Sequence, residues 1–263
     1  ITNPSPSDPY EDHFHKRRTF VIKDPATGRE IDRYPLMDKE DVGRVVATAR
    51  DKFVSWSQST FTERKRIFVK ASQYLAANAG RFAEQIAAEN GKTKMDALLC
   101  DVYCAVDLLK HTAKHAEKYL KPVKGLPGTM VVPMRKNSYI FQPKGVVGVI
   151  SPWNYPFGLS MSPVISAIAA GNTVILKPSS QTTRSGMIVK EIFDNGGLPE
   201  GVLQILTGTG SLTGQALIEH ADIDMLFFTG STDVGLEVSA HAAKRLIPVI
   251  LELGGKDVAI VTK

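Results

Sequence analysis

Cysteine is scarce in this sequence, with 2 in 263 residues. Two thiols in so long a chain make no disulfide framework and suit a reducing cytoplasm. Also lacking is any run of about 18 apolar residues, so no membrane-spanning helix is expected. The start has no basic stretch leading into an apolar core, the pattern of a secretory signal. No repeat and no low-complexity tract is present. The net charge is only +5, and the Lys and Arg residues that carry it are dispersed. A nucleic-acid reader gathers such residues into a stripe, so that class is set aside. What is present is a chain that is 43% hydrophobic, enough for a sizeable core in one large or two small domains. The sequence opens on Ile1 rather than a start residue, and stops at Lys263 just after the strand-like residues 258–261. A core strand at a chain end normally has a neighbour to come, so a piece of a longer protein is expected.

The rest of the chain is organised around 145–177. Val146, Val147, Val149 and Ile150 form an apolar run that ends in the proline-bracketed turn Ser151-Pro-Trp-Asn-Tyr-Pro156. A helical stretch follows, then a second apolar run at 173–176 that ends in Lys177-Pro-Ser-Ser180. Strand, turn, helix, strand is one βαβ unit. Runs that are apolar on successive residues belong to a parallel sheet covered on both faces, whose ligands gather at the carboxyl ends of the strands. Further strands are expected near 203–206, 224–228 and 247–251, with helices near 158–170, 183–195, 211–219 and 233–243. The fold class is therefore α/β, a doubly wound, Rossmann-like parallel sheet.

Ahead of it, residues 1–17 read as an extended arm rich in proline. A β-hairpin is expected at 19–34, closed through Gly28. Asp38 caps a helix over 40–56, and Thr62 is placed to cap a second through Ala77. A third runs over 79–89 and stops at Asn90-Gly91, and a fourth, continuous helix spans 94–119 before Pro122. The region 130–141 reads as a second β ribbon. The division that results is an arm (1–17), a hairpin with helices (18–122), a second ribbon (123–143), a doubly wound α/β domain (144–256) and the start of a further domain (257–263).

Each candidate site residue admits two readings. Asn154 is either a cap in a strand-to-helix turn or a neutral donor for a developing oxyanion. Lys177 is either a solvated charge at a strand end or an ammonium that meets the hydroxyls or phosphate of a nucleotide. Phe227-Phe-Thr-Gly-Ser-Thr-Asp-Val-Gly235 offers backbone N–H groups and the Ser231 hydroxyl to a phosphate, though its glycine spacing is not the usual dinucleotide fingerprint. Thr207-Gly-Thr-Gly210 is either a second such turn or a tight loop. Glu252 stands between Leu251 and Leu253, where burial would raise its pKa toward that of a general base. Its other reading is a salt bridge to Lys256. Cys100, Cys104, His111 and His115 share a helix face, but Cys100 and His111 are roughly 16 Å apart along the axis. No single zinc ion spans that distance, so no metal is expected and the thiols read as buried and structural.

Together, PWNYP at 152–156, KPSS at 177–180, FTGST at 228–232 and ELGGK at 252–256 resemble the aldehyde dehydrogenase superfamily, in order and approximate spacing over nearly the whole chain. The resemblance implies that Asn154 stabilises the thiohemiacetal oxyanion and that Glu252 activates the deacylating water. It implies that Lys177 binds the adenosine ribose, Ser231 touches the pyrophosphate, Val234 lies against the adenine and Trp153 lies near the phosphates. Ser151, Pro152, Ser179, Ser180, Gly210, Gly230 and Leu253 complete the implied dinucleotide-binding set. Where many NAD-specific members carry Glu, this sequence has Ser180. That change removes a charge that would repel a 2′-phosphate, so NAD or NADP is admitted. The family's nucleophilic cysteine lies beyond the ELGG glutamate, past Lys263, and Cys100 and Cys104 precede the nucleotide fold and do not replace it. The implied activity is oxidation of an aldehyde, a small-molecule substrate, to the acid by a cytoplasmic homo-dimer or tetramer, with the 263 residues inactive by themselves. Three alternatives remain: a dinucleotide-binding module without chemistry, which includes half of a split enzyme; a CoA-acylating relative, against which Glu252 argues; and a purely structural protein.

Overall fold

The computed structural model describes residues 18–125, 137–220 and 222–262. The expected arm at 1–17 and residues 126–136, which include much of the ribbon expected over 130–141, lie outside them. The chain begins with a hairpin of β1 (Thr19–Lys23) and β2 (Glu30–Pro35), closed at Gly28, whose φ is 69°. Helix α1 (Lys39–Trp56) starts at Asp38, whose carboxylate accepts from the N–H groups of Glu40 and Asp41, and Asp41 reaches back to the N–H of Asp38. Helix α2 (Phe61–Ala77) is capped by Thr60, not Thr62. The reason is legible in retrospect: Glu63 stands three residues after Thr60 and returns the bond to its N–H, which completes a capping box. Helix α3 (Ala79–Asn90) ends at Gly91 with φ 84°.

The expected continuous fourth helix is interrupted. One α turn (Lys94–Asp96) gives way to a π-helical segment (Ala97–Tyr103) before α4 (Cys104–Leu120) resumes the regular pitch. Such wide turns inside helices often mark functional positions. Inside this one, Asp101 is wholly buried. Strands β3 (Val123–Lys124) and β4 (Ser138–Tyr139) pair antiparallel and lead into the main sheet.

That sheet is built from β5 (Val146–Ile150), α5 (Gly158–Ala169), β6 (Thr173–Lys177), α6 (Thr183–Asn195), β7 (Leu203–Ile205), a π turn (Gly210–Gly214) running into α7 (Gln215–Glu219), β8 (Met225–Gly230), α8 (Thr232–Ala243) and β9 (Val249–Leu253). Its strands are parallel, in the order β7-β6-β5-β8-β9. The order reverses direction at β5, so the crevice expected of a doubly wound sheet opens at the tips of β5 and β8. Successive side chains alternate between two cores. Val147, Val149, Val174 and Leu176 pack under α2–α6. Val146, Ile175, Leu226 and Phe228 pack under α1, α7 and α8. Each such side chain contributes about 1.5–3 kcal/mol by leaving water. Among the described residues no helix is long and apolar enough to cross a membrane.

Candidate active site

The registers bring the strand tips level. Ile150 faces Lys177 on one side and Phe228 on the other, and Thr229 faces Glu252. With strands about 4.8 Å apart, the tips of β6 and β9 are about 14 Å apart across three spacings. Over the β5, β8 and β9 tips lies a cleft of about 570 Å³ whose walls include Trp153, Asn154, Phe227, Ser231, Glu252 and Leu253. Pro152 and Gly230 also line it. The sheet therefore gathers eight sequence-predicted or neighbouring groups from three separated motifs in one concavity.

The loop that carries Asn154 is anchored at its base. Ser151 N–H donates to the Lys177 carbonyl at 3.2 Å, the Ser151 and Ser160 hydroxyls are 2.7 Å apart, and Ser160 Oγ donates to Pro156 O at 2.6 Å. The Ser151 hydroxyl is thus engaged within the fold. Trp153, Asn154 and Tyr155 project into solvent. Among the described residues the Asn154 amide has no hydrogen-bond partner, so its N–H groups face the cleft unengaged.

Lys177 is not a solvated strand-end charge. It is 3% exposed, and its Nζ donates to Pro178 O at 3.0 Å. No carboxylate pairs with it among the described residues, and burial pushes its pKa down to about 8. Its stem runs over Gly214, where a Cβ would lie 3.4 Å from Lys177 Cδ and Cε. The charged form is thus penalised in the folded state below pH 8 and relieved as pH rises toward 10.5. That interval corresponds to roughly 3 kcal/mol. Lys177→Met is expected to raise the denaturation midpoint at pH 7, with the advantage over the parent shrinking between pH 8 and 10.5. Paired melts at pH 7 and pH 10 measure it.

Ser179 holds the next turn: its carbonyl accepts from Thr182 N–H and the Thr183 hydroxyl. Ser180 lines a second cleft of about 540 Å³ with Gln181, Glu89, Asn90 and Trp153. Trp153 is common to both clefts. Ser231 caps α8 by accepting from Val234 N–H at 3.4 Å, and Val234 is 42% exposed beside it. Gly210 lies exposed at the start of the π turn, outside both clefts.

Two expectations need correction. Glu252 is exposed rather than buried between its leucines, and no ion pair joins it to Lys256. It sits on β9, the edge strand of the sheet as described, where neither face is fully covered. Cys100 and Cys104 are exposed free thiols, not buried ones. The amphipathic pattern places them on one helix face but does not say that the face is covered. Among the described residues no group of three or more His, Cys, Asp or Glu can hold a metal. His111 and His115 instead lie against each other, with ring centroids 4.3 Å apart and planes tilted by 33°.

Sequence reasoning missed Glu89, Asn90, Lys92 and Asp101. Glu89 accepts from Arg184 N–H, Ser185 N–H and Ser185 Oγ at the start of α6. Burial raises its pKa to about 7 against those hydrogen bonds. Asn90 and Lys92 flank Gly91, which was legible only as a helix stop.

Comparison with known proteins follows the same outline. The sequence model described as the aldehyde dehydrogenase family matches residues 13–263. A 4,4'-diapolycopene aldehyde oxidase of a Methylomonas species is 36% identical over 243 residues, 92% of this chain and 46% of the relative. A D-glyceraldehyde dehydrogenase (NADP(+)) of Picrophilus torridus is 34% identical over 248 residues, 93% of this chain and 49% of the relative. An aldehyde dehydrogenase from Bacillus cereus, solved as its NAD+ complex, superposes with a TM-score of 0.86 at 32% identity, over 94% of this chain and 50% of that one. The chain spans about half the length of the curated relatives it matches.

Proposed function

The chain belongs to the aldehyde dehydrogenase family, and from that premise we propose that it supplies the dinucleotide cradle, the oxyanion donor and the general base for NAD(P)-dependent oxidation of an aldehyde to a carboxylic acid. The observation that carries this reading is the shared cleft of Asn154 and Glu252, 98 positions apart in the sequence and drawn from different strands. The cradle fits such a cofactor on three counts. A buried ammonium without a counter-charge, Lys177, has donors left for ribose hydroxyls. The Gly230-Ser231 turn opens helix α8, whose N-terminus favours phosphate. Leu253 and Trp153 supply apolar wall.

When bound, the nicotinamide supplies the hydride acceptor. Asn154 donates to the oxygen that becomes negative as a thiolate adds to the aldehyde, a donor that needs no proton transfer. Glu252 takes a proton from water as the acyl group is released. Its exposure leaves that water a path to the carboxylate. Assembly as a homo-dimer or tetramer is proposed in addition, supported by Tyr139, Ile140 and Phe141, which are 66%, 67% and 52% exposed at the end of β4 and just after it.

Titration with NAD and with NADP tests the cradle. Binding of neither overturns the proposal, and binding without turnover in the protein at its natural length favours a module without chemistry. Ser180 is half-buried with space before it in the second cleft. Ser180→Glu is expected to weaken NADP by about tenfold or more relative to NAD, since each tenfold is only 1.4 kcal/mol. An unchanged NADP-to-NAD ratio would remove the role assigned to this position.

A further inference from the structure

The loop between Pro152 and Tyr155 makes few bonds of its own, yet it is held from outside on both sides of Asn154. One residue before Asn154, the Trp153 carbonyl accepts from Asn90 Nδ2 at 2.6 Å. One residue after it, the Tyr155 ring lies under the Lys92 ammonium, 4.2 Å from Nζ to the centroid. Lys92 is in turn fixed by Asp101, at 2.7 Å. The second oxygen of Asp101 accepts from Gly158 N–H at 2.8 Å. Gly158 is the first residue of α5, and the preceding Phe157 has no side chain able to cap it. Asp101 therefore caps that helix from another segment, with its charge on the favourable end of the helix dipole.

These groups come from two irregular places in the helical region. Gly91, at φ 84°, turns the chain so that Asn90 and Lys92 both reach the loop, and a Cβ there would come within 2.8 Å of Pro25 Cγ. The π-helical segment carries Asp101 inward, 0% exposed, while Cys100 beside it is exposed. A buried ion pair adds little to stability after both charges are desolvated. Its effect is to set geometry, and this pair ties the Tyr155 ring to the start of α5.

We propose that Asn90, Lys92 and Asp101 form a brace of positioning residues that holds the Asn154 amide at the point where the oxyanion develops. The brace rests on the assignment of Asn154 as the oxyanion donor. A displacement of about 1 Å in such a group lowers the rate by as much as about 100-fold.

The test uses the protein at its natural length, labelled with 5-fluorotryptophan. The Trp153 ¹⁹F resonance is assigned by its loss in Trp153→Phe. Asn90→Ala removes a single hydrogen bond at a half-exposed residue. Lys92→Met breaks the ion pair, and Lys92→Arg restores the charge. The expected result for Asn90→Ala and Lys92→Met is a shifted, narrowed Trp153 resonance and a kcat lower by about 10- to 100-fold. Lys92→Arg recovers most of the rate. In an Asn154→Ala background the same substitutions lower kcat no further. A displaced resonance with kcat unchanged overturns the brace as a positioning device, and so does an unmoved resonance in folded Asn90→Ala. If Lys92→Met does not fold, Asn90→Ala decides alone. If Asn154→Ala itself leaves kcat intact, the oxyanion assignment fails first, and the ¹⁹F spectra still show separately whether the brace holds the loop.

Discussion

Asn154→Ala is expected to lower kcat for aldehyde oxidation by about 100- to 1000-fold in the protein at its natural length, the range for loss of one oxyanion donor. Dinucleotide affinity should be unchanged, because the amide meets the substrate oxygen rather than the nucleotide. Magnitude follows from setting. The donor is neutral, so it is not drawn into an ion pair in the resting protein. It has no partner among the described residues, so no bond must break before it acts. Steady-state kinetics with a calorimetric Kd for the dinucleotide measure both halves of the expectation. A rate within a few-fold of the parent would return Asn154 to the role of loop residue.

Glu252→Gln is expected to act later in the cycle. A general base contributes about 10²- to 10⁴-fold, and steady-state turnover should fall by that order. One turnover's worth of reduced dinucleotide should still appear on mixing, since water attack follows oxidation of the bound carbonyl. Stopped-flow absorbance distinguishes the cases: loss of the first turnover together with the steady state would place Glu252 at an earlier step. Glutamine keeps the size of the side chain on an exposed edge strand, so the fold should be insensitive to this change.

The parts of the fold that were legible are those in which local pattern and tertiary need coincide. Strands at 146–150 and 173–177 were readable to the residue, because a strand covered on both faces is apolar through its interior, and in the second only the end residues Thr173 and Lys177 are polar. Strand β9 was read two residues early. Ile247 and Pro248 are apolar, but pairing with β8 begins at Val249 and extends through Glu252 to Leu253. Backbone pairing is indifferent to the carboxylate, and apolarity alone misplaces such a strand. The Asn154 and Glu252 motifs were legible as a resemblance, and with them their convergence at the strand tips, where one cleft holds both. The contact of Asn90 with Trp153 spans 63 positions and leaves no local signature at either end. The exposure of Cys100 and Cys104 was misread for a related reason: helical periodicity sorts residues into faces and does not say which face another element will cover.

Lys177 carries a wider consequence. A cation sealed in without a counter-charge destabilises the folded chain at neutral pH, and the nucleotide proposed to lie there would relieve that cost with its own hydroxyls. Occupancy at a hundred times Kd adds about 2.7 kcal/mol to the folded state. On that proposal, resistance of this polypeptide to heat and to proteases would be tied to how much nucleotide surrounds it.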